Sequence, residues 1–242
     1  MKALVLVFAA AACVDTTGGH HVTYDVAARG TGNTLDVNGW HIVLVKANVF
    51  VGAVYLNLAV ANSGSVTQGT DCVLPGIYTG EDLAPLTVDV LSTELQPFGL
   101  RGNGTDDEAR TGEVWLTSGD VNALNDNTVV ADIAGTATKG AQVIPFTSSI
   151  TIGQNHAVHS TDAANPSAHP ICKQRIVSPI SIDFRPAQDG TLVLTIDPTL
   201  WFASVDFSTV PGGVFPDDNS IPASQNLFNG VRSPGAFSFA FQ

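Results

Sequence analysis

Short apolar blocks alternate with clusters of Gly, Pro, Asn and Asp along the chain, and helical periodicity is almost absent. Alternation that is broken by turn residues at short intervals predicts many antiparallel strands. We expect residues 40–50 and 53–60 to form a long pair bent near Gly52. The other segments that fit a strand are residues 22–29, 113–117, 129–139, 141–152, 200–207 and 237–241.

The clearest hairpin is predicted between residues 180 and 196. Residues 180–184 and residues 191–196 each alternate apolar with polar side chains. Asp189-Gly190 lies between them, and this dipeptide supplies the positive-φ conformers that tight hairpin turns require. The two segments are therefore expected to pair with each other.

Together these segments predict an all-β fold, an antiparallel β-sandwich of about ten strands. We find no internal repeat, so residues 22–242 are expected to form a single domain. Residues 81–95 are the one place for a short helix, and Pro85 argues against it. Loops can vary in sequence while the sheets hold them in place, so a localised function is expected in the longest irregular stretches. These are residues 61–80, 99–112, 153–174 and 211–234.

The acidic composition restricts the partners of the chain. Its 242 residues include 10 Lys and Arg against 22 Asp and Glu, a formal net charge of −12. Without a basic surplus a protein cannot displace counterions from nucleic acid, and anionic membrane surfaces do not attract it. The G-x-S-x-G, H-E-x-x-H and phosphate-binding glycine motifs are also missing from the sequence. We therefore expect no nucleic-acid partner and no enzymatic activity.

The N-terminus begins with one cation, Lys2, followed by ten apolar residues, 3–12. This run is too short to span a bilayer, which takes about 20 residues. It fits either a buried first strand or the apolar part of a signal peptide. The sequence Ala10-Ala11-Ala12-Cys13 resembles the lipobox of bacterial lipoproteins, although Leu is commoner where Ala10 stands.

The lipobox resemblance implies a cellular location for the protein. Residues 1–12 would be a cleaved signal peptide, Cys13 would carry the lipid, and residues 13–21 would form a flexible tether. The protein would then lie in the bacterial cell envelope with the membrane as its partner through the anchor. Val14 stands where Asp would favour retention in the inner membrane, which points to the outer membrane.

The two other cysteines fit an exported protein. With Cys13 assigned to the lipid, Cys72 and Cys172 form an even pair in an oxidising compartment. In the chain-entropy model, a disulfide between them would stabilise the fold by roughly 4–5 kcal/mol, because it closes a long loop. The alternative is a pair of buried free thiols.

Three histidines share one polar stretch, residues 154–173. His156 and His159 are separated by two residues, and His169 follows ten residues later. Imidazole suits both Cu(II) and Zn(II), so these side chains are candidate ligands for copper or zinc. A Cys172 thiolate could complete the site only if the disulfide is absent. The alternative is a solvated histidine-bearing loop without fixed geometry.

Tryptophans offer a different binding chemistry. Trp40, Trp115 or Trp201 could stack on a sugar ring, although all three lie in apolar strand contexts that favour packing in the core. His41, next to Trp40, is expected to be a strand histidine with a local partner rather than a metal ligand.

Residues 75–81 (PGIYTGE), 170–180 (PICKQRIVSPI) and 226–232 (NLFNGVR) resemble stretches of uncharacterised β-rich lipoproteins of deltaproteobacteria of the myxobacterial type. That resemblance implies export, the Cys72–Cys172 pairing and an all-β fold, and it carries no activity. The sequence thus predicts a lipid-anchored extracytoplasmic binding protein whose histidine loop binds copper or zinc. The alternative is an adhesion, glycan-binding or structural surface module without a metal.

Overall fold

The computed structural model describes residues 18–59, 77–117, 127–155, 176–218 and 220–242. The strands are β1 His21–Gly30, β2 Thr34–Val37, β3 Trp40–Asn57, β4 Tyr78–Asp82, β5 Leu86–Asp89, β6 Gln96–Pro97, β7 Gly102–Thr105, β8 Ala109–Leu116, β9 Val129–Lys139, β10 Gln142–Thr151, β11 Ile176–Phe184, β12 Thr191–Ile196 and β13 Phe237–Phe241. The helices of these ranges are α1, Pro222–Val231, and 3-10 helices at Ile152–Asn155, Pro198–Phe202, Phe207–Thr209, Pro211–Gly213 and Pro234–Ala236. None of them is long and apolar enough to cross a membrane.

The sheet is built around β3, a strand of 18 residues. One edge of β3 pairs with β2, β5 and β4, and the other edge pairs with β9 and β8. The register shifts between Leu44 and Lys46 and again between Val51 and Ala53. Such bulges bend a strand and let it change neighbours along its length. The bend predicted near Gly52 is therefore a bulge inside one continuous strand.

The sheet curls until its two ends meet. From β3 it continues through β4, β7, β1, β12 and β13, while β11 pairs with β8 on the other side of β3. β13 then lies against β11. The curl gives the sheet an inner face, which holds most of the buried apolar side chains, and an outer face.

The predicted all-β class is confirmed, and the predicted antiparallel arrangement of about ten strands is corrected. The described residues form one mixed sheet of 13 strands. β1 and β12 run parallel, in register from Asp25 with Thr191 to Gly30 with Ile196. The remaining strand pairs of this sheet are antiparallel.

Tyr24 fills the interior of the curled sheet, where it is fully buried. A Cβ atom added at Gly102 would lie 2.3 Å from Cε2 of Tyr24, and one added at Gly80 would lie 2.4 Å from its hydroxyl oxygen. The ring of Phe241 meets the Tyr24 ring edge-on, with centroids 5.6 Å apart. The ring therefore fits only because β4 and β7 present glycine beneath it.

The predicted hairpin between residues 180 and 196 is wrong. β11 pairs with β8, whereas β12 lies between β1 and β13. The turn residues themselves explain the difference, because they bind β1. The Thr23 backbone N–H donates to Gln188 Oε1 at 3.0 Å, and the Asp189 N–H donates to the Thr23 carbonyl at 2.9 Å. These bonds direct the chain to β1, where β12 finds a parallel partner.

The strand predicted at residues 200–207 is also wrong, since this segment forms 3-10 turns. Asp197 caps the first turn by accepting from the Thr199 N–H at 2.9 Å, and Pro198 occupies the first helical position. Both are helix-start signals, and they override the local apolar pattern.

Two more differences concern helices. α1 lies in a stretch predicted to be irregular, where it buries Leu227, Phe228 and Val231. Its start is marked only by Pro222, again at the first helical position. The short helix considered for residues 81–95 does not form, because the chain there completes β4 and then forms β5.

We expect Gly102→Ala to destabilise the protein by about 1–3 kcal/mol, because the new methyl group overlaps the buried Tyr24 ring. Urea unfolding would measure the change. Gly99→Ala is the matched control, since nothing lies within 4 Å of a Cβ at that position. The control should change stability by no more than about 0.5 kcal/mol. Equal stability of the two variants would contradict the packing described for Tyr24.

Candidate functional site

An open cleft of about 320 Å³ lies where β1, β7 and β4 run side by side. It is on the outer face of the sheet, across the backbone from Tyr24. Its volume is at the lower end of the range for small-molecule sites. The residues that line it are His21, Tyr78, Thr79, Gly80, Glu81, Asn103, Gly104 and Thr105.

A β-bulge shapes one side of this cleft. Asn57 on β3 pairs with Tyr78, but Leu56 pairs with Gly80, so Thr79 is the extra residue on β4. A bulge re-aims side chains that would otherwise alternate between the two faces. As a result, the consecutive residues Tyr78 and Thr79 both line the cleft.

The polar side chains of the cleft offer both donors and acceptors. His21 Nε2 donates to Asn103 Oδ1, and the Thr105 hydroxyl donates to Asp107 Oδ2 at 2.9 Å. Glu81 is half-buried, and the register sets it beside Asn103 on β7. Toward the hydroxyl groups of a ligand, these side chains can therefore act as hydrogen-bond donors or as acceptors.

Thr79 adds a buried hydroxyl at the cleft. The residue is 1% exposed, and its Oγ1 has no hydrogen-bond partner among the described residues. Buried hydroxyl groups in folded proteins almost always have a partner, so an exception calls for an explanation. This hydroxyl is closed to solvent, so a ligand in the open cleft would contact other groups of the lining.

An aromatic wall bounds the cleft on the side of β3. The Tyr78 ring contacts Tyr55, and Tyr55 contacts Trp115, each pair with centroids 5.1 Å apart. Behind this wall, the buried Glu113 carboxylate accepts from Trp115 Nε1 and from Asn57 Nδ2, both at 3.1 Å. Burial raises the pKa of Glu113, and these two hydrogen bonds oppose the shift. Burial and the nearby Glu113 charge also raise the pKa of Tyr78.

A second buried carboxyl group, Asp82, lies on the opposite face, two residues after Gly80. Its Oδ1 accepts from the Ala84 N–H at 2.7 Å, while Oδ2 has no partner in the described part of the chain. Burial raises the pKa of Asp82 to about 6. The pKa of Tyr24 is raised as well, mainly by its own burial and then by the charge of Asp82.

The residues singled out in the sequence fall into two groups. Trp40, Trp115 and Trp201 are at most 5% exposed, which confirms that they pack inside the protein. His41 Nδ1 lies 2.8 Å from Asp36 Oδ1, as expected for a strand histidine with a local partner. The remaining predicted site residues lie outside the described residues; they are Cys13, Cys72, His156, His159, His169 and Cys172.

The described ranges hold no group of three or more His, Cys, Asp or Glu side chains that could bind a metal. The candidate histidine loop is not part of those ranges, so its metal chemistry stays a prediction.

Sequence reasoning missed the cleft residues individually but pointed to their neighbourhood. Residues 78–80 and 103–105 fall in two of the irregular stretches where a localised function was expected. The bulge at Thr79 interrupts the alternation on which strand prediction depends, so the pattern alone could not identify these side chains. His21 was assigned to the tether, whereas β1 begins with it.

No protein-family model matches the chain, and no curated protein matches it. Among solved structures, it is similar to a candidate cell adhesion protein from Bacteroides eggerthii, with 11% sequence identity and a TM-score of 0.21. The similarity covers 92% of this chain and 54% of the other, so the chain spans about half the length of that protein. A TM-score this low supports no conclusion about fold or function.

We expect Asp82→Asn to flatten the dependence of stability on pH. Because the folded-state pKa lies above the unfolded value, the folded state binds the proton more tightly, and stability falls as pH rises from about 4 to about 6. Between about pH 4.5 and pH 7.5 the wild type should lose about 1–2 kcal/mol more than the variant, less than the full shift implies because this range begins above the unfolded-state pKa. Urea unfolding at each pH would measure the free energy of unfolding of both proteins.

The exposed Asp183 supplies the control for this comparison. Asp183→Asn removes the same carboxyl group without changing a buried site, so its stability should follow the wild type across the pH range. Parallel profiles for the wild type and Asp82→Asn would contradict a raised pKa at Asp82.

Proposed function

We propose that the protein is an extracytoplasmic binding module that recognises carbohydrate in the cleft between β1, β7 and β4, without catalysing a reaction. The observation that carries this proposal is the bulge in β4, which sets Tyr78 and Thr79 beside Glu81 in one open cleft. This is the glycan-binding alternative considered from the sequence, with different residues from the tryptophans named there.

The chemistry of the lining favours a sugar over other small ligands. An aromatic ring such as Tyr78 packs against the C–H face of a sugar ring. The Glu81 carboxylate and the Asn103 amide can meet sugar hydroxyl groups as acceptors and donors.

The lipid anchor and the envelope location are part of the proposal. If Cys13 carries the lipid, His21 at the edge of the cleft follows it by eight positions. An extended chain of that length spans at most about 28 Å. The cleft would then lie near the membrane surface, and the net charge of −12 would keep the domain from adhering to anionic lipids. The outer membrane remains the proposed location.

The disulfide between Cys72 and Cys172 is also proposed, as part of a sandwich-like arrangement of the curled sheet. Cys72 precedes Ile77 by five residues, and Cys172 precedes Ile176 by four. Strand spacing sets Ile77 and Ile176 roughly 20 Å apart. The two connecting segments together reach about 30 Å, so the chain length permits the bond.

Metal binding by His156, His159 and His169 is a separate hypothesis that rests on the sequence. It competes with the disulfide only if Cys172 joins the ligands. Copper or zinc at this loop would not conflict with a sugar in the cleft, because the two proposals use different residues.

We expect Asn103→Ala to weaken binding of the best-bound glycan by about 5–10-fold, because the variant loses the amide that meets a sugar hydroxyl. A broad glycan array would select the ligand, and isothermal titration calorimetry would measure the affinity. Asn103 is exposed, so the stability of the variant should change by no more than about 0.5 kcal/mol.

Asn33→Ala is the matched control for this experiment. Asn33 also carries an exposed amide, but it does not line the cleft. The control should bind glycan like the wild type. If no glycan binds on the array, or if both variants bind like the wild type, the proposed site is wrong.

Elemental analysis of the purified protein, with titration of its free thiols, would test the two sequence-based proposals. About one copper or zinc ion per chain, lost in a His156→Ala, His159→Ala double variant, is the result that supports the histidine site. No free thiol is the result that supports the disulfide. A protein without bound metal, or one with two free thiols, would contradict the first or the second proposal respectively.

A further inference from the structure

We infer that the cleft selects neutral sugars and rejects acidic ones, and that Glu81 is the residue that discriminates between them. This inference rests on the proposed function, and it adds the class of sugar and the side chain responsible.

Glu81 holds a central position in the cleft. Its neighbours in register are Asn103 on β7 and Tyr55 on β3, so the carboxylate lies between an amide and an aromatic ring. Across the described part of the chain, the Glu81 carboxylate makes no hydrogen bond and no ion pair. It is half-buried, so solvent screens its charge less than that of a fully exposed group.

The neighbouring Asn103 amide complements this carboxylate. Its Oδ1 accepts from His21 Nε2, which leaves the amide N–H groups as donors. An acceptor and a donor on adjacent strands can bind two neighbouring hydroxyl groups of one sugar ring. A sugar carboxylate in the same place would accept a hydrogen bond from the Asn103 amide. The negative charge of Glu81 would repel it.

The charges around the cleft strengthen this preference. The loop beyond Thr105 carries Asp106, Asp107 and Glu108, and the nearby cations bind that loop. Arg110 pairs with Glu108 at 2.7 Å, and Arg185 donates to the Asp106 carbonyl at 3.3 Å.

His20 also binds this loop, since its backbone N–H donates to Asp106 Oδ1 at 2.7 Å. In the cleft itself, the ring of His21 is bonded to Asn103. The basic side chains next to the cleft are therefore engaged with protein acceptors, whereas the Glu81 carboxylate has no donor partner in the described residues. A sugar carboxylate would enter a region of negative potential without a dedicated partner.

Other occupants fit this lining less well. A divalent cation prefers several oxygen ligands, of which carboxylates bind most strongly, and Glu81 is the single carboxylate among the cleft residues. A phosphate or sulfate group would meet the same repulsion as a sugar carboxylate. A neutral ligand with many hydroxyl groups avoids both problems.

The test uses the full chain in mild detergent on an array that carries neutral glycans and uronic-acid-containing glycans of matched length. We expect the neutral glycans to bind at least about tenfold more tightly at low salt, with a smaller difference at high salt. Glu81→Gln should reduce that difference several-fold, chiefly by improving binding of the acidic glycans.

Glu94→Gln is the charge-matched control, because Glu94 is an exposed residue between β5 and β6 and does not line the cleft. It should leave the preference unchanged. Acidic and neutral glycans bound equally well, or a preference that survives Glu81→Gln intact, would overturn this inference while leaving the proposed function standing. Failure of every glycan to bind would instead reject the proposed function, and this inference with it.

Discussion

The packing of Tyr24 inside the curled sheet is the constraint on which the rest of this structure depends. A ring of this size fits only where the opposing strands carry no side chain, and Gly80 and Gly102 meet that requirement. Gly104 is equally tight, since a Cβ there would lie 2.3 Å from the carbonyl oxygen of Thr79. The same absence of side chains lets β4 and β7 approach closely, and their backbone at Gly80 and Gly104 forms part of the cleft. One buried tyrosine thus links the curl of the sheet to the shape of its outer surface.

Polar groups concentrate on both faces of the sheet around this point. Asp82 lies on the inner face and Glu113 lies behind the aromatic wall on the outer face, and burial raises the pKa of each. Thr79 Oγ1 and Asp82 Oδ2 have no partner in the described residues. Buried groups of this kind reduce stability unless they are satisfied. Their concentration next to an open cleft is consistent with a region selected for binding as well as for stability.

Much of the strand content could be predicted from the sequence, because alternation is a local property. β9 and β12 have the predicted bounds, and β1 and β10 differ from theirs by a residue at each end. Strand pairing could not be predicted in the same way. The Asp189-Gly190 turn does change the direction of the chain, but the hydrogen bonds from Gln188 and Asp189 to Thr23 decide which strand follows it. These bonds join residues about 165 positions apart, and no local pattern records them.

By itself, the sequence determined the all-β class, the acidic surface charge and the burial of the tryptophans, since each follows from residue type and local order. Only the tertiary structure decided the cleft. His21, Glu81 and Asn103 lie far apart in the chain and come together because β1, β7 and β4 are neighbours in the curled sheet. The bulge at Thr79 then brings two consecutive residues to the lining of the cleft, against the alternation expected of a strand. The physical reason is that alternation reports which residues are buried, whereas register and bulges depend on what the whole sheet must enclose.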